Sequence, residues 1–273
     1  MTSVALCSAS GAPGVSTTSV LVAPALGAAL GVGATVVEAA LSGGTLAGPL
    51  GLEWSPSVVT LAAALRHDVA SLVAAHAQRG PGGVGVVVGA SGEAEAAAAA
   101  ARLVGPLAAV ARSSAGVMVL DCGRLSVTSV LWPLATAADL AVVVLRQSAG
   151  TPRETAAPVG HARALAVALG AGGARVGAVV VGDEPYSGAE VGAALGLRAL
   201  GVLPLDPAGV AGALSGARRR RRGRLGVAVE RLVAEMVALV GPESSPAVAQ
   251  APRADEVVGA APADGDHASV LRR

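Results

Sequence analysis

A short apolar run, Val4, Ala5, Leu6 and Cys7, breaks into the small residues Ser8 to Ala12, then into Pro13-Gly14 and a Ser/Thr cluster that opens a long apolar segment. That order spells a buried strand, a tight loop and the start of a helix. Such a loop aims several backbone N–H groups and the positive end of a helix dipole at one spot, a geometry suited to phosphate. The strand must also be covered by the helix it feeds, and this restricts the folds open to the chain.

The rest of the chain repeats the alternation. Apolar runs over 34–37, 84–88, 116–120, 140–145, 176–181 and 200–203 are expected as further strands. Helices are expected over 17–30 with a kink at Pro24, 57–78, 93–112 with an interruption at Gly105-Pro106, 126–136, 151–169, 187–195 and 225–240. Continuous apolar strands between helices indicate a parallel sheet covered on both faces. The fold class is therefore α/β, a single doubly wound, mostly parallel sheet over residues 1–241. In 242–273, Pro246, Pro252 and Pro262 stand among small and acidic residues with no apolar period, and a disordered tail is expected.

Hydrophobic residues make up 53% of the chain, yet there is no Phe and aromatics are 1%, so the core must be Val, Leu and Ala. A net charge of +1 gives no global attraction to nucleic acid or acidic lipid. Cys7 and Cys122 are too few for a zinc site or a secreted disulfide framework and read as buried small hydrophobes. Residues 2–37 carry no charged side chain, but Gly and Pro punctuate them and no basic stretch precedes them, so neither a signal peptide nor a membrane span is expected. The chain is expected to be soluble and cytoplasmic.

A complete phosphate loop would read G-x-x-x-x-G-K-[ST], its lysine reaching the β- and γ-phosphates and its hydroxyl holding Mg²⁺. With Gly14 on the second glycine, Ala9 falls on the first, Val15 on the lysine and Ser16 on the hydroxyl. No lysine elsewhere can replace it, because all 20 Lys and Arg residues are Arg. Taken alone, such a segment is more often a plain strand-to-helix turn than a phosphate loop.

Four separated pieces together resemble the MinD/ParA family of deviant Walker A ATPases, and within it a lysine-less actinobacterial branch similar to the TadZ/CpaE proteins. They are Ser10-Gly11-Ala12-Pro13-Gly14-Val15-Ser16-Thr17; the exit of the second strand, Glu38-Ala39-Ala40-Leu41-Ser42-Gly43-Gly44; the run ending at Asp121; and 181–207. The resemblance implies ATP or ADP with Mg²⁺ bound by Gly11, Pro13, Gly14, Val15, Ser16 and Thr17. The metal would sit on Ser16 and Asp121, and Gly182, Asp183, Pro204 and Asp206 would flank the purine.

The departures bear on function. Ser10 and Val15 occupy the positions of the family's two lysines, and Ala40 stands where a second acid would follow Glu38, the nearest candidate for orienting water. Phosphoryl transfer depends on positioned positive charge and an oriented nucleophile, so weak or absent hydrolysis is expected and no catalytic residue is assigned. Two alternatives stand beside this reading: an active ATPase in which an Arg such as Arg124 replaces the lysines, and a nucleotide-independent positioning module.

The resemblance implies a role in positioning or assembly, with another bacterial assembly protein of pilus or secretion type as partner. Any homodimer is expected to form without ATP. Arg218 to Arg222 with Arg224 precede an amphipathic stretch, Leu225, Val229, Leu232, Val233, Met236 and Leu239, and so could bind anionic membrane or DNA, or be a solvated loop beside a packed helix. Tyr186, the single Tyr, either packs the following helix or meets a partner. The four His show no ligand spacing, and Gly89-Ala90-Ser91-Gly92 fails as a nucleophile elbow at Glu93.

Overall fold

Eight strands form one sheet in the order β3-β4-β2-β5-β1-β6-β7-β8, all parallel except β3, which runs antiparallel to β4. They are β1 (Thr2–Ser8), β2 (Ala34–Glu38), β3 (Gln78–Arg79), β4 (Gly85–Val87), β5 (Val117–Arg124), β6 (Leu140–Arg146), β7 (Val176–Val181) and β8 (Ala199–Leu203). The helices are α1 (Val15–Leu30), α2 (Ala47–Leu50), α3 (Val58–Ala64), α4 (Val69–His76), α5 (Glu93–Ala111), α6 (Trp132–Ala137), α7 (Pro152–Ala171), α8 (Gly188–Leu195), α9 (Pro207–Leu214) and α10 (Arg224–Val240). This computed structural model describes residues 2–11, 13–66, 68–111, 116–147, 152–216 and 223–240. The tail expected over 242–273 and the run Arg218 to Arg222 lie outside the described residues.

The expected doubly wound sheet is present, with a core on each face. On one face α1 and α10 pack through Val15, Val22, Leu26, Leu225, Leu232 and Met236 onto Val4, Leu6, Val119 and Val142. On the other, Leu61, Leu103, Leu107, Leu134, Leu165 and Leu195 close over Ala5, Val37, Leu120 and Val143. Side chains of neighbouring positions on one strand, such as Val4 and Ala5, thus enter opposite cores, as a strand covered on both sides requires.

Four local expectations are corrected. The helix expected over 57–78 is two: Leu65 leaves helical backbone at ψ 122°, Asp68 caps a new start by accepting from the Ser71 N–H at 3.1 Å, and Gln78 belongs to β3. The interruption at Gly105-Pro106 does not occur, since α5 runs through Pro106 with Leu103 and Leu107 buried on either side. The helix expected over 126–136 is only α6, which begins at Trp132. The strand expected over 116–120 extends as β5 through Asp121 to Arg124. The elements α2, β3 and α9, and a single 3-10 turn at Pro81–Gly83, have no counterpart among the expectations.

Candidate phosphate and metal site

The loop after β1 leads into α1 at the C-terminal edge of the parallel strands, where open α/β sheets place their ligand crevice. Gly14 is the residue before α1 and adopts φ 94°, a left-handed conformation that any side chain would strain. No side chain caps this helix end. The N–H groups of its first turn, from Val15 to Thr17, are therefore without a side-chain acceptor, and the dipole adds partial positive charge there. At Gly11 and Gly14 no atom lies within 4 Å of where a Cβ would sit, so the loop backbone faces open space. Ser8 Oγ braces the loop by donating to Ser10 O at 2.6 Å. Pro13 is buried, and Ser16 and Thr17 are half-buried. Val15, in the lysine position, is 4% exposed and belongs to the α1 core face, leaving only its backbone to meet an anion.

Asp121 lies fully buried on β5, opposite Leu6 of β1 and Glu38 of β2. Its Oδ1 accepts from the Gly123 N–H at 3.0 Å, while Oδ2 has no partner among the described residues. Burial pushes this carboxyl up to about 7; the Ser16 hydroxyl opposes the shift, the Glu38 charge adds to it and the Gly123 N–H opposes it. Ser16 thus stands near enough to Asp121 to favour its charged form, with no hydrogen bond between the two.

An orphaned carboxylate oxygen beside a hydroxyl, with a second buried carboxylate nearby, suits a hard divalent cation that completes its shell with water and phosphate oxygens. Mg²⁺ fits these residues. When bound, it would neutralise phosphate charge and the buried acid pair. Among the described residues no group of three or more His, Cys, Asp or Glu side chains could form an all-protein metal cage.

Glu38 is not available to a water nucleophile. It is 1% exposed; its Oε1 accepts from the Thr45 N–H at 2.5 Å, the Thr45 hydroxyl at 3.2 Å and the Leu46 N–H at 3.1 Å, and its Oε2 accepts from the Gly89 N–H at 2.7 Å. The backbones of Gly44 and Gly89 touch, and a Cβ on Gly89 would lie 2.6 Å from Gly44 Cα. Glu38 therefore ties the loop after β2 to the end of β4. Ala40 is a buried methyl and supplies no acid. Arg124 pairs in register with Ser8 beside the loop and is exposed.

The predicted base-side residues collect at the ends of β7 and β8. Two strand spacings, about 10 Å, separate β7 from β1, close to the length of a nucleoside. The Gly182 N–H donates to Leu203 O at 2.8 Å, joining the two strand ends. Asp183 pairs with Arg224 at 3.0 Å, both exposed. Half-buried Pro204 leads to Asp206, whose Oδ1 accepts from the Gly209 N–H at 2.7 Å and caps α9 above Pro207.

Sequence reasoning missed Gln147. It is 1% exposed and follows β6; its Nε2 donates to Gly182 O at 3.0 Å and Tyr186 O at 2.7 Å, and its Oε1 accepts from the Tyr186 N–H at 2.9 Å. Its place just beyond Arg146, which closes the apolar run 140–145, is its one local signal. Gln147→Leu is expected to cost about 2–3 kcal/mol by stranding these backbone groups, read as a lower urea midpoint. An unchanged midpoint would show that water replaces the amide. Tyr186 packs partly buried against the core, in line with the packing reading.

Two further readings are settled by burial. Both thiols are fully buried; burial pushes Cys7 up to about 12 and raises Cys122 as well, so they act as hydrophobes. The apolar face of α10 is spent on β8, β6 and α1 and is not presented to lipid.

By sequence, no protein-family profile and no characterised protein matches the chain. By structure it is similar to the cell division ATPase MinD of Pyrococcus furiosus, with 16% identity, 87% of this chain and 99% of that one covered, and a TM-score of 0.69. The septum site-determining protein MinD of Pyrococcus horikoshii OT3, complexed with Mg-ADP, aligns at 15% identity over 88% of this chain and 97% of that one, TM-score 0.65. A ParA family ATPase from Chlorobium tepidum TLS aligns at 16% identity over 85% and 97%, TM-score 0.67. With the loop, the strand order and Asp121 in place, the chain has the P-loop fold of the MinD and ParA ATPases.

Proposed function

We propose that this chain is a MinD/ParA-like pseudo-ATPase: a cytoplasmic organiser that holds Mg-ATP or Mg-ADP weakly and hydrolyses it little or not at all. It acts in positioning or assembling a bacterial machine of pilus or secretion type. One observation carries the reading. The loop keeps an uncapped helix end and the Ser16–Asp121 pair, yet Val15 is buried in the core and every oxygen of Glu38 is bound by the protein itself. Transition-state charge is left with no cation from the loop, and the attacking water with no carboxylate beside β2.

Calorimetry with Mg-ATP and Mg-ADP beside a phosphate-release assay tests this. Binding is expected for both nucleotides, with turnover about 10³-fold below that of lysine-bearing relatives. Steady hydrolysis abolished by Asp121→Ala would overturn it. A second reading, hydrolysis supported by Arg124, is favoured by the register of that residue with Ser8. It requires turnover that Arg124→Ala removes. A lipid- or DNA-bound role would rest on Arg218 to Arg222, because Arg224 is engaged with Asp183 and the apolar face of α10 is engaged with the sheet.

A further inference from the structure

β6 runs past the end of β1 and finishes on a cation. The last register pair of the two strands joins Cys7 to Val143, so Arg146 stands three residues, about 10 Å, further along and beyond the level of Ser8, where β1 ends. Side chains alternate along β6: Ala141, Val143 and Leu145 enter one core and Leu140, Val142 and Val144 the other, which places Arg146 on the second face. That face also takes Val15, the first residue of α1, and Val181, the register partner of Arg146. Arg146 is exposed and makes no hydrogen bond or ion pair with the described residues. Residues 148–151 lie outside them and hold no acidic side chain.

Asp121 and Arg146 stand on either side of the loop. They belong to β5 and β6 with β1 between, so two strand spacings, about 10 Å, separate their strands. On the other side of Asp121, Glu38 knots the loop after β2 to the end of β4, with the backbones of Gly44 and Gly89 in contact. A phosphate chain with its far end on the metal is therefore led over the loop toward β6, where a guanidinium stands unspent. Such a group can give a phosphate two parallel N–H bonds, each about twice as strong as a neutral one. Of the other arginines at this edge, Arg224 is paired with Asp183, and Arg124 ends β5 on the metal side of the loop. We propose that Arg146 is a phosphate-binding residue of this site and holds the phosphate next to the nucleoside, so that ATP and ADP gain from it alike. The inference rests on the reading of the loop at Gly11 to Thr17 as a phosphate cradle.

The test is calorimetry on the full chain with Mg-ATP and Mg-ADP at low and high salt, beside urea unfolding. Arg146→Ala is expected to weaken both nucleotides by the same factor, about tenfold, and to flatten the salt dependence of binding. The urea midpoint should not move, because the side chain is exposed. Arg146→Lys keeps the charge without the fork and should fall between the two chains. A loss confined to ATP would put Arg146 on the terminal phosphate and overturn the proposal. Unchanged affinity for both nucleotides, with or without a lowered midpoint, would also overturn it and leave the phosphate cradle standing. A wild-type chain that binds neither nucleotide would remove the cradle and the inference with it.

Discussion

Glu38→Ala is expected to cost the fold roughly 3–5 kcal/mol and to leave phosphate release where it stands. The side chain gathers the N–H groups of Thr45, Leu46 and Gly89 and the Thr45 hydroxyl at a site 1% exposed. Each buried donor left without an acceptor costs about 1–3 kcal/mol, and the substitution strands three backbone donors at once. Some of that is returned because Asp121 loses a like charge beside it. The loss is still a large fraction of the ~5–15 kcal/mol that holds a typical domain together. Glu38→Gln, keeping one acceptor but setting an amide NH₂ against a backbone donor, should fall between the two. Urea unfolding of the three chains checks the order. A Glu38→Ala chain with an unchanged midpoint and a reduced rate of phosphate release would return Glu38 to the role of orienting water.

Glu38 also shows where the sequence stops being legible. Its position after the second apolar run marked it as the acid nearest the nucleotide, but its role depends on Gly89, 51 residues away, and on contact between two glycine backbones. Nothing local distinguishes a carboxylate that faces solvent from one that knots two loops together. The strand–loop–helix from Val4 was legible because each part has a local cause: an apolar run, a left-handed glycine, then helix formers. Asp121 was legible because it ends the apolar run of a central strand. At Asp206-Pro207 the local signals were ambiguous, since Asp followed by Pro begins a turn and also begins a helix, and packing decided for α9. Pro106 misled in the other direction. One missing hydrogen bond is outweighed by the buried face of Leu103, Val104, Leu107 and Val110 around it.

Asp121→Asn is expected to reverse the usual cost of altering a buried polar residue and to stabilise the free chain above neutral pH. The wild-type carboxyl is fully buried with one oxygen unpartnered, and its folded value stands at about 7 against an ordinary 3.8. Between those limits the folded chain keeps a proton that the unfolded chain has released. The contribution of this group is therefore fully present below 3.8 and is lost as pH rises through about 7. Three pH units of such a gap amount to about 4 kcal/mol. Asparagine has nothing to titrate, so the difference in unfolding free energy between variant and wild type should open across this window and level off near about pH 8. Mg²⁺ with a nucleotide supplies the wild-type carboxylate with a countercharge and should close most of the gap at high pH, while giving the Asn chain much less. Parallel curves for the two chains from about pH 5 to pH 8 would mean that Asp121 is already neutralised or hydrated in the free protein. The unpartnered oxygen would then no longer mark a place prepared for a cation.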